Sequence, residues 1–181
     1  GLHAILSWNG LTPAVMKGQI IGPITMGLGT TERDQRPILY DDVLADALAK
    51  FLHLKAAWQE RTLCKISTNT IVFVDEPSMS YLGSAFVSLP RERVETLLNE
   101  VFGGISGIKG IHCCGNTDWS MVLGAKTDIV SFDAYKHAQH FSLYPEEVSA
   151  LITRGGAIAW GIVPNTMKAL EKETLGSLRD R

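Results

Sequence analysis

The sequence predicts an α/β protein whose strands form a parallel sheet. Three observations predict it. Short β-branched or apolar runs alternate with helical stretches along the chain. The second run, Thr70-Ile71-Val72-Phe73-Val74, is nearly continuous in apolar residues, as a strand buried on both faces is. Runs two to five also end on polar residues, at the sheet edge where parallel α/β folds collect their chemistry.

The first run is Gln19-Ile20-Ile21-Gly22-Pro23-Ile24, followed by a polar loop from Thr30 to Pro37. A helix is expected from about Asp41 to Thr62, with Asp41 as its N-cap. Val43, Leu44, Ala47, Leu48, Phe51, Leu52 and Trp58 fall mostly at helical spacing and are expected to form its apolar face. The second run, Thr70-Ile71-Val72-Phe73-Val74, ends on Asp75-Glu76-Pro77. Pro90 is expected near the first position of the next helix, with Val94, Leu97, Leu98, Val101 and Phe102 inward. The third run, 107–114, ends on Gly115-Asn116, and Asn116 or Thr117 is expected to cap a short helix through Val122. The fourth run is Asp128-Ile129-Val130-Ser131-Phe132-Asp133. Pro145 then opens a helix with Val148, Leu151 and Ile152 inward. The fifth run spans 157–163 and ends on Pro164-Asn165, before a polar helix starting at Thr166.

Composition narrows the function classes. The chain has 181 residues, 45% hydrophobic and 20% charged, enough for one sizeable core. A formal net charge of -2 with intermixed signs lacks the basic footprint of a nucleic-acid binder. The apolar runs are too short to span a membrane. Three cysteines without an export signal make no disulfide framework and imply a reducing cytoplasm. Because the first residue is Gly1, a missing N-terminus or a tag remnant is expected.

Two architectures fit the alternation: an open doubly wound sheet and a barrel. Gly27-Leu28-Gly29 is only a fragment of a phosphate loop. A complete barrel needs eight strand–helix units and about 250 residues, so a barrel here would be partial.

The strand ends carry the candidate chemistry. His112 and Cys114 are two apart, which on a strand puts both on one face with Cys113 on the other. An imidazole and a thiol so placed suit zinc. Two ligands are too few, and Asp133 on the next strand is the best local third. The plain alternative is a hydrogen-bonded core histidine beside small buried thiols. Asp75 and Glu76 face opposite ways, so one carboxylate enters any cavity, either to hold a cationic ligand group or to form a salt bridge. His137, His140 and Cys64 are expected to be surface or structural residues. Trp8, Trp58, Trp119 and Trp160 are expected in the core or lining it.

Lys17-Gly18-Gln19-Ile20-Ile21-Gly22-Pro23-Ile24-Thr25 resembles the K-G-x-x-x-G-P-x-T strand of cobalamin-independent methionine synthases. Val74-Asp75-Glu76-Pro77 resembles their D-E-P strand end, and Ile111-His112-Cys113-Cys114 their H-x-C zinc strand. His112-Cys113-Cys114-Gly115 is also similar to a segment of cobamide-dependent thiol methyltransferases. Gly161-Ile162-Val163-Pro164-Asn165 resembles a strand-end loop of the wider superfamily, which includes uroporphyrinogen decarboxylase. The resemblance covers about residues 17 to 166. It implies a single incomplete catalytic barrel domain over 1–181, a partial (β/α)8 TIM barrel with about five strand–helix units.

The resemblance further implies a zinc-dependent methyltransferase of methionine biosynthesis, acting on homocysteine or a related thiol with a folate or corrinoid methyl donor. It makes His112 and Cys114 zinc ligands, puts Asp133 at the position of a glutamate ligand, and makes Asp75 the carboxylate that binds the substrate's amino group. The family's last cysteine ligand and its histidine, expected near Ile162, have no counterpart here. A metal-free decarboxylase and an inactive barrel fragment are the alternatives. Arg33, Arg36, Arg61, Arg91 and Arg93, which a decarboxylase would use, form no cluster in the sequence. Open sheet edges in a partial barrel imply self-association or further chain.

Overall fold

The computed structural model describes residues 2–8, 10, 12–84 and 87–180. Gly1, on which the expectation about the N-terminus rests, lies outside them. In chain order the elements are α1 (Leu2–Leu6), β1 (Met16–Ile21), α2 (Pro23–Gly29) and α3 (Asp42–Leu63). Next come β2 (Thr70–Asp75), α4 (Arg91–Gly103), β3 (Ile108–Cys113), α5 (Trp119–Gly124) and β4 (Ile129–Phe132). The series closes with α6 (Ala134–Phe141), α7 (Pro145–Thr153), β5 (Ala157–Trp160), α8 (Met167–Leu170) and α9 (Leu175–Arg179).

Every strand pair is parallel, and the strands lie in sequence order, β1-β2-β3-β4-β5. A doubly wound sheet reverses its order at a switch point. This sheet does not, and sequential parallel pairing is the way a (β/α) barrel runs. The fold is therefore α/β, with the architecture of a partial (β/α)8 barrel.

The core lies between the sheet and its helices. Val72, Val74, Ile111, Cys113, Val130 and Phe132 all point to that side and are buried. Phe132 stacks on Phe141 with ring centroids 4.2 Å apart, and Trp119 meets both rings edge-on. The opposite face of the sheet would be the inside of a barrel. Its residues Lys17, Gln19 and Ile21 on β1 are exposed, while Asp75 and His112 are half-buried.

The local predictions hold at several helix starts. Asp41 caps α3, accepting from the N–H groups of Val43 and Leu44 at 2.9 Å each. Pro145 opens α7, and the predicted buried stripe of α4 is buried in full.

Other elements differ. The first strand runs from Met16 to Ile21, not to Ile24, because Pro23 has no N–H for the ladder and instead begins α2. Pro90 is the N-cap of α4, and Asp118, not Asn116 or Thr117, caps α5. Asp133 caps α6, which carries His137 and His140. β5 stops at Trp160, and the expected C-terminal helix is two short ones.

The apolar face of α3 is also corrected. Val43 is 76% exposed, Phe51 52% and Trp58 44%. The buried stripe is Ala45, Leu48, Ala49, Leu52, Ala56 and Leu63. Small alanines let the helix lie close to β1, where a side chain on Gly18 would strike Leu63 and Gln59. Ile152 of α7, at 51% exposed, likewise points outward. Trp119 is a core residue as expected, whereas Trp8 and Trp160 are largely exposed. No helix among the described residues is long and apolar enough to cross a membrane.

Candidate functional site

The strand register decides which strand-end residues meet. Asp75 pairs with His112, His112 with Ser131, and Ser131 with Ala159, so these four form one layer across the inner face. One layer toward the strand N-termini are Gln19, Phe73, Gly110, Ile129 and Ala157. Gly110 leaves room for the Phe73 ring, since a Cβ there would stand 2.6 Å from the ring carbons. Phe73 thus forms an apolar floor beneath the polar layer. The cleft above it has a volume of about 560 Å³ and is walled by Lys17, Gln19, Asp75, His112 and Ser131.

The polar groups of the cleft form a connected set. Lys17 Nζ donates to Gln19 Oε1 at 2.8 Å, and Gln19 Nε2 donates to Asp75 Oδ2 at 2.9 Å. The Lys17 ammonium also lies 4.7 Å from the centroid of the Phe73 ring, a cation–π distance. His112 Nδ1 is 3.0 Å from Ser131 Oγ. Burial pushes the Asp75 carboxyl above its ordinary pKa, and the charges of His112 and Lys17 oppose that rise. A half-desolvated carboxylate beside two basic groups, open to a cleft, is suited to holding a small cationic group.

Glu76 faces the other way and is fully buried. Its two oxygens accept from the N–H groups of Ile24 and Thr25 at 2.8 Å each, and from the Thr25 hydroxyl at 2.6 Å. Burial raises its pKa to about 7 despite these donors. A side chain on Gly22 would collide with this carboxyl. The Gly22-Pro23-Ile24-Thr25 and Asp75-Glu76-Pro77 segments are therefore one physical unit, which fixes the C-terminal ends of β1 and β2 beside the cleft.

The other two predicted ligands stand apart from the cleft lining. Cys114 follows the end of β3 and is exposed. Asp133 accepts from the Lys136 backbone N–H at 3.2 Å and from Lys136 Nζ at 2.9 Å. That hydrogen bond, then the charge of Asp133 and to a lesser extent Cys114, raise the Lys136 pKa. Asp75 and His112 thus share the cleft, while Asp133 is engaged by Lys136 of α6. Among the described residues no three of His, Cys, Asp and Glu are grouped closely enough to hold a metal ion. Taken alone, the donors of this chain do not fit a closed zinc site, which needs three or four ligands.

Sequence reasoning missed Lys17, Gln19, Phe73 and Ser131 as cleft residues. A signal existed for three of them. Lys17 and Gln19 are polar residues inside a strand, and Ser131 lies two before Asp133, so alternation puts it on the same face. None of the five arginines considered for carboxylate binding lines the cleft. A larger hollow of about 660 Å³ lies along α7, but all its lining comes from that helix and its C-cap, without convergent polar groups.

No family model matches the sequence, and no curated protein matches it. Among solved structures, the chain is similar to a B12-independent methionine synthase from Shewanella sp. W3-18-1 in complex with selenomethionine. The TM-score is 0.57 at 21% identity, over 91% of this chain and 48% of that one. The chain thus spans about half the length of that solved protein. At this identity the likeness shows a related fold.

Proposed function

We propose that this chain carries the substrate-binding face of a methionine-synthase-like methyltransferase, in which a thiol substrate with an amino group takes a methyl group. The single observation that carries this reading is the layer of Asp75, His112 and Ser131 over the Phe73 floor. It offers a carboxylate for an ammonium group, an imidazole at the adjacent strand end, and an apolar surface for a thioether or alkyl chain.

The residues have separable roles. Asp75, oriented by Gln19, receives the substrate ammonium. Ser131 fixes the ring of His112, much as an outer partner fixes an imidazole ligand. Phe73 excludes water beneath the substrate. The zinc of this reading would draw on His112 and Cys114, which this chain does not by itself group with a third donor among its described residues. The folate or corrinoid methyl donor belongs to the same proposal.

Zinc titration of the purified chain with a competing colorimetric chelator tests the reading. Binding that is lost in both His112→Ala and Cys114→Ala supports it. Binding that persists unchanged in the double variant, or no binding by the wild type in the presence of L-homocysteine, contradicts it.

A further inference from the structure

We propose that α3 docks against α3 of a second copy of this chain, as an antiparallel pair centred on Phe51.

The helix has three faces, and two of them have partners. Ala45, Leu48, Leu52 and Ala56 are buried on the sheet side. Asp42 and His53 meet Arg93 and Glu100 of α4. The third face, across the helix from α4, carries Leu44, Ala47, Phe51, Leu54 and Trp58. All five are exposed, Leu54 at 68%. They alternate three and four residues apart, the spacing of a seam between two helices. Other exposed apolar residues, such as Leu143, Val163 and Leu175, lack that repeat. β1, which α3 covers, is the edge strand of the sheet.

The order of side-chain sizes favours another copy of the same face. An interface across a two-fold axis must be complementary to itself. Leu44 and Trp58 lie seven residues either side of Phe51, while Ala47 lies four before it and Leu54 three after it. An antiparallel pair centred on Phe51 therefore sets Leu44 against Trp58 of the second copy and Ala47 against Leu54. Small side chains meet large ones away from the centre, and two aromatic rings meet at it. A parallel pair would set Trp58 against Trp58 and Ala47 against Ala47, crowding one layer and leaving a gap in another.

Charge does not oppose the contact. Lys50 beside the seam is held by Asp46, and His53 turns to Glu100. Lys55 stays at the rim, where its stem covers apolar surface. The outward parts of the five side chains and Val43 amount to roughly 500 Å² per chain, so the pair buries about 1,000 Å², near the lower limit for a specific interface. Such an area fits a reversible dimer of modest affinity.

Sedimentation equilibrium of the purified chain over micromolar concentrations reads the association. The wild type is expected to dimerise reversibly. Phe51→Glu puts two carboxylates at the two-fold axis and is expected to weaken the dimer about thirty-fold or more, as loss of a central anchor does. Leu44→Lys and Trp58→Glu should each weaken it. The double variant, in which opposite charges face across the antiparallel seam, should recover most of that loss. Ile152→Glu, at an exposed site on α7, should change nothing. The substituted side chains are exposed in the single chain, so circular dichroism should stay the same. A wild type that remains monomeric at high micromolar concentration overturns the proposal. So does a dimer that Phe51→Glu leaves intact or that Ile152→Glu dissociates, since its contact lies elsewhere. A double variant no better than the single ones overturns the antiparallel register and the proposal with it.

Discussion

The carboxyl of Glu76 occupies the space that a side chain on Gly22 would need. Gly22 is thus required for close approach. Its φ of -84° is open to any residue. Gly22→Ala must displace a carboxylate that holds the backbone N–H groups of Ile24 and Thr25. Such overpacking costs about 1–3 kcal/mol, and stranded polar groups add to that. Urea unfolding is expected to show a lower midpoint with an unchanged slope.

The same carboxyl makes stability pH-dependent. Its pKa rises from 4.5 to about 7 on folding, chiefly through burial. The folded state therefore binds a proton more tightly than the unfolded chain. The stabilisation is fully present below pH 4.5 and is lost as pH rises through about 7. This group gives a negative slope of stability on pH of at most about 1.4 kcal/mol per pH unit. Glu76→Gln is expected to flatten the curve between pH 5 and 8, roughly the window bounded by these two values. It should also lower stability overall, because its amide nitrogen faces backbone donors. Denaturant melts across that range check both effects.

A second buried carboxylate fixes the opposite end of the sheet. Glu60 on α3 accepts from the N–H groups of Ser106 at 2.8 Å and Gly107 at 2.5 Å, and from the Thr70 hydroxyl at 3.2 Å. Glu60→Ala leaves those donors without their partner where β3 begins. A loss of about 2–4 kcal/mol is expected, at roughly 1–3 kcal/mol per stranded group with partial relief by water. Hydrogen exchange at Gly107 should accelerate more than exchange at the aromatic cluster around Phe132.

Ligand binding has its own pH signature. Asp75 must be ionised to hold an ammonium group, and burial raises its pKa above that of an ordinary aspartate. Affinity for L-methionine is expected to fall on acidification earlier than an unperturbed aspartate would dictate. Asp75→Asn should remove that dependence along with most of the affinity. Titration calorimetry at a series of pH values reads both.

Much of this was legible in the sequence because it was written in strong local signals. A nearly continuous apolar run marked β2, Asp41 marked the start of α3, and Asp75-Glu76 marked a strand end with one carboxylate on each face. The buried face of α3 was not legible in the same way. Alanine carries little hydrophobic signal, yet Ala45, Ala49 and Ala56 make the close contact while Phe51 and Trp58 face outward. The cleft was only half legible. His112 and Asp75 stood out as chemistry-bearing residues, but their neighbours depend on register. Gln19 reaches Asp75 across 56 residues of chain, a contact no local pattern encodes. Asp133 read as a ligand because of its strand-end position, and the same position makes it the cap of α6 and the partner of Lys136.

The most direct test of the account is a crystal structure of the chain with L-selenomethionine, whose selenium can be located by anomalous scattering. The account predicts a selenium peak on the inner face, above Phe73 and beside His112 and Ser131, with the amino group at Asp75. A peak elsewhere on the protein, or none at a ligand concentration that saturates binding in solution, would contradict it.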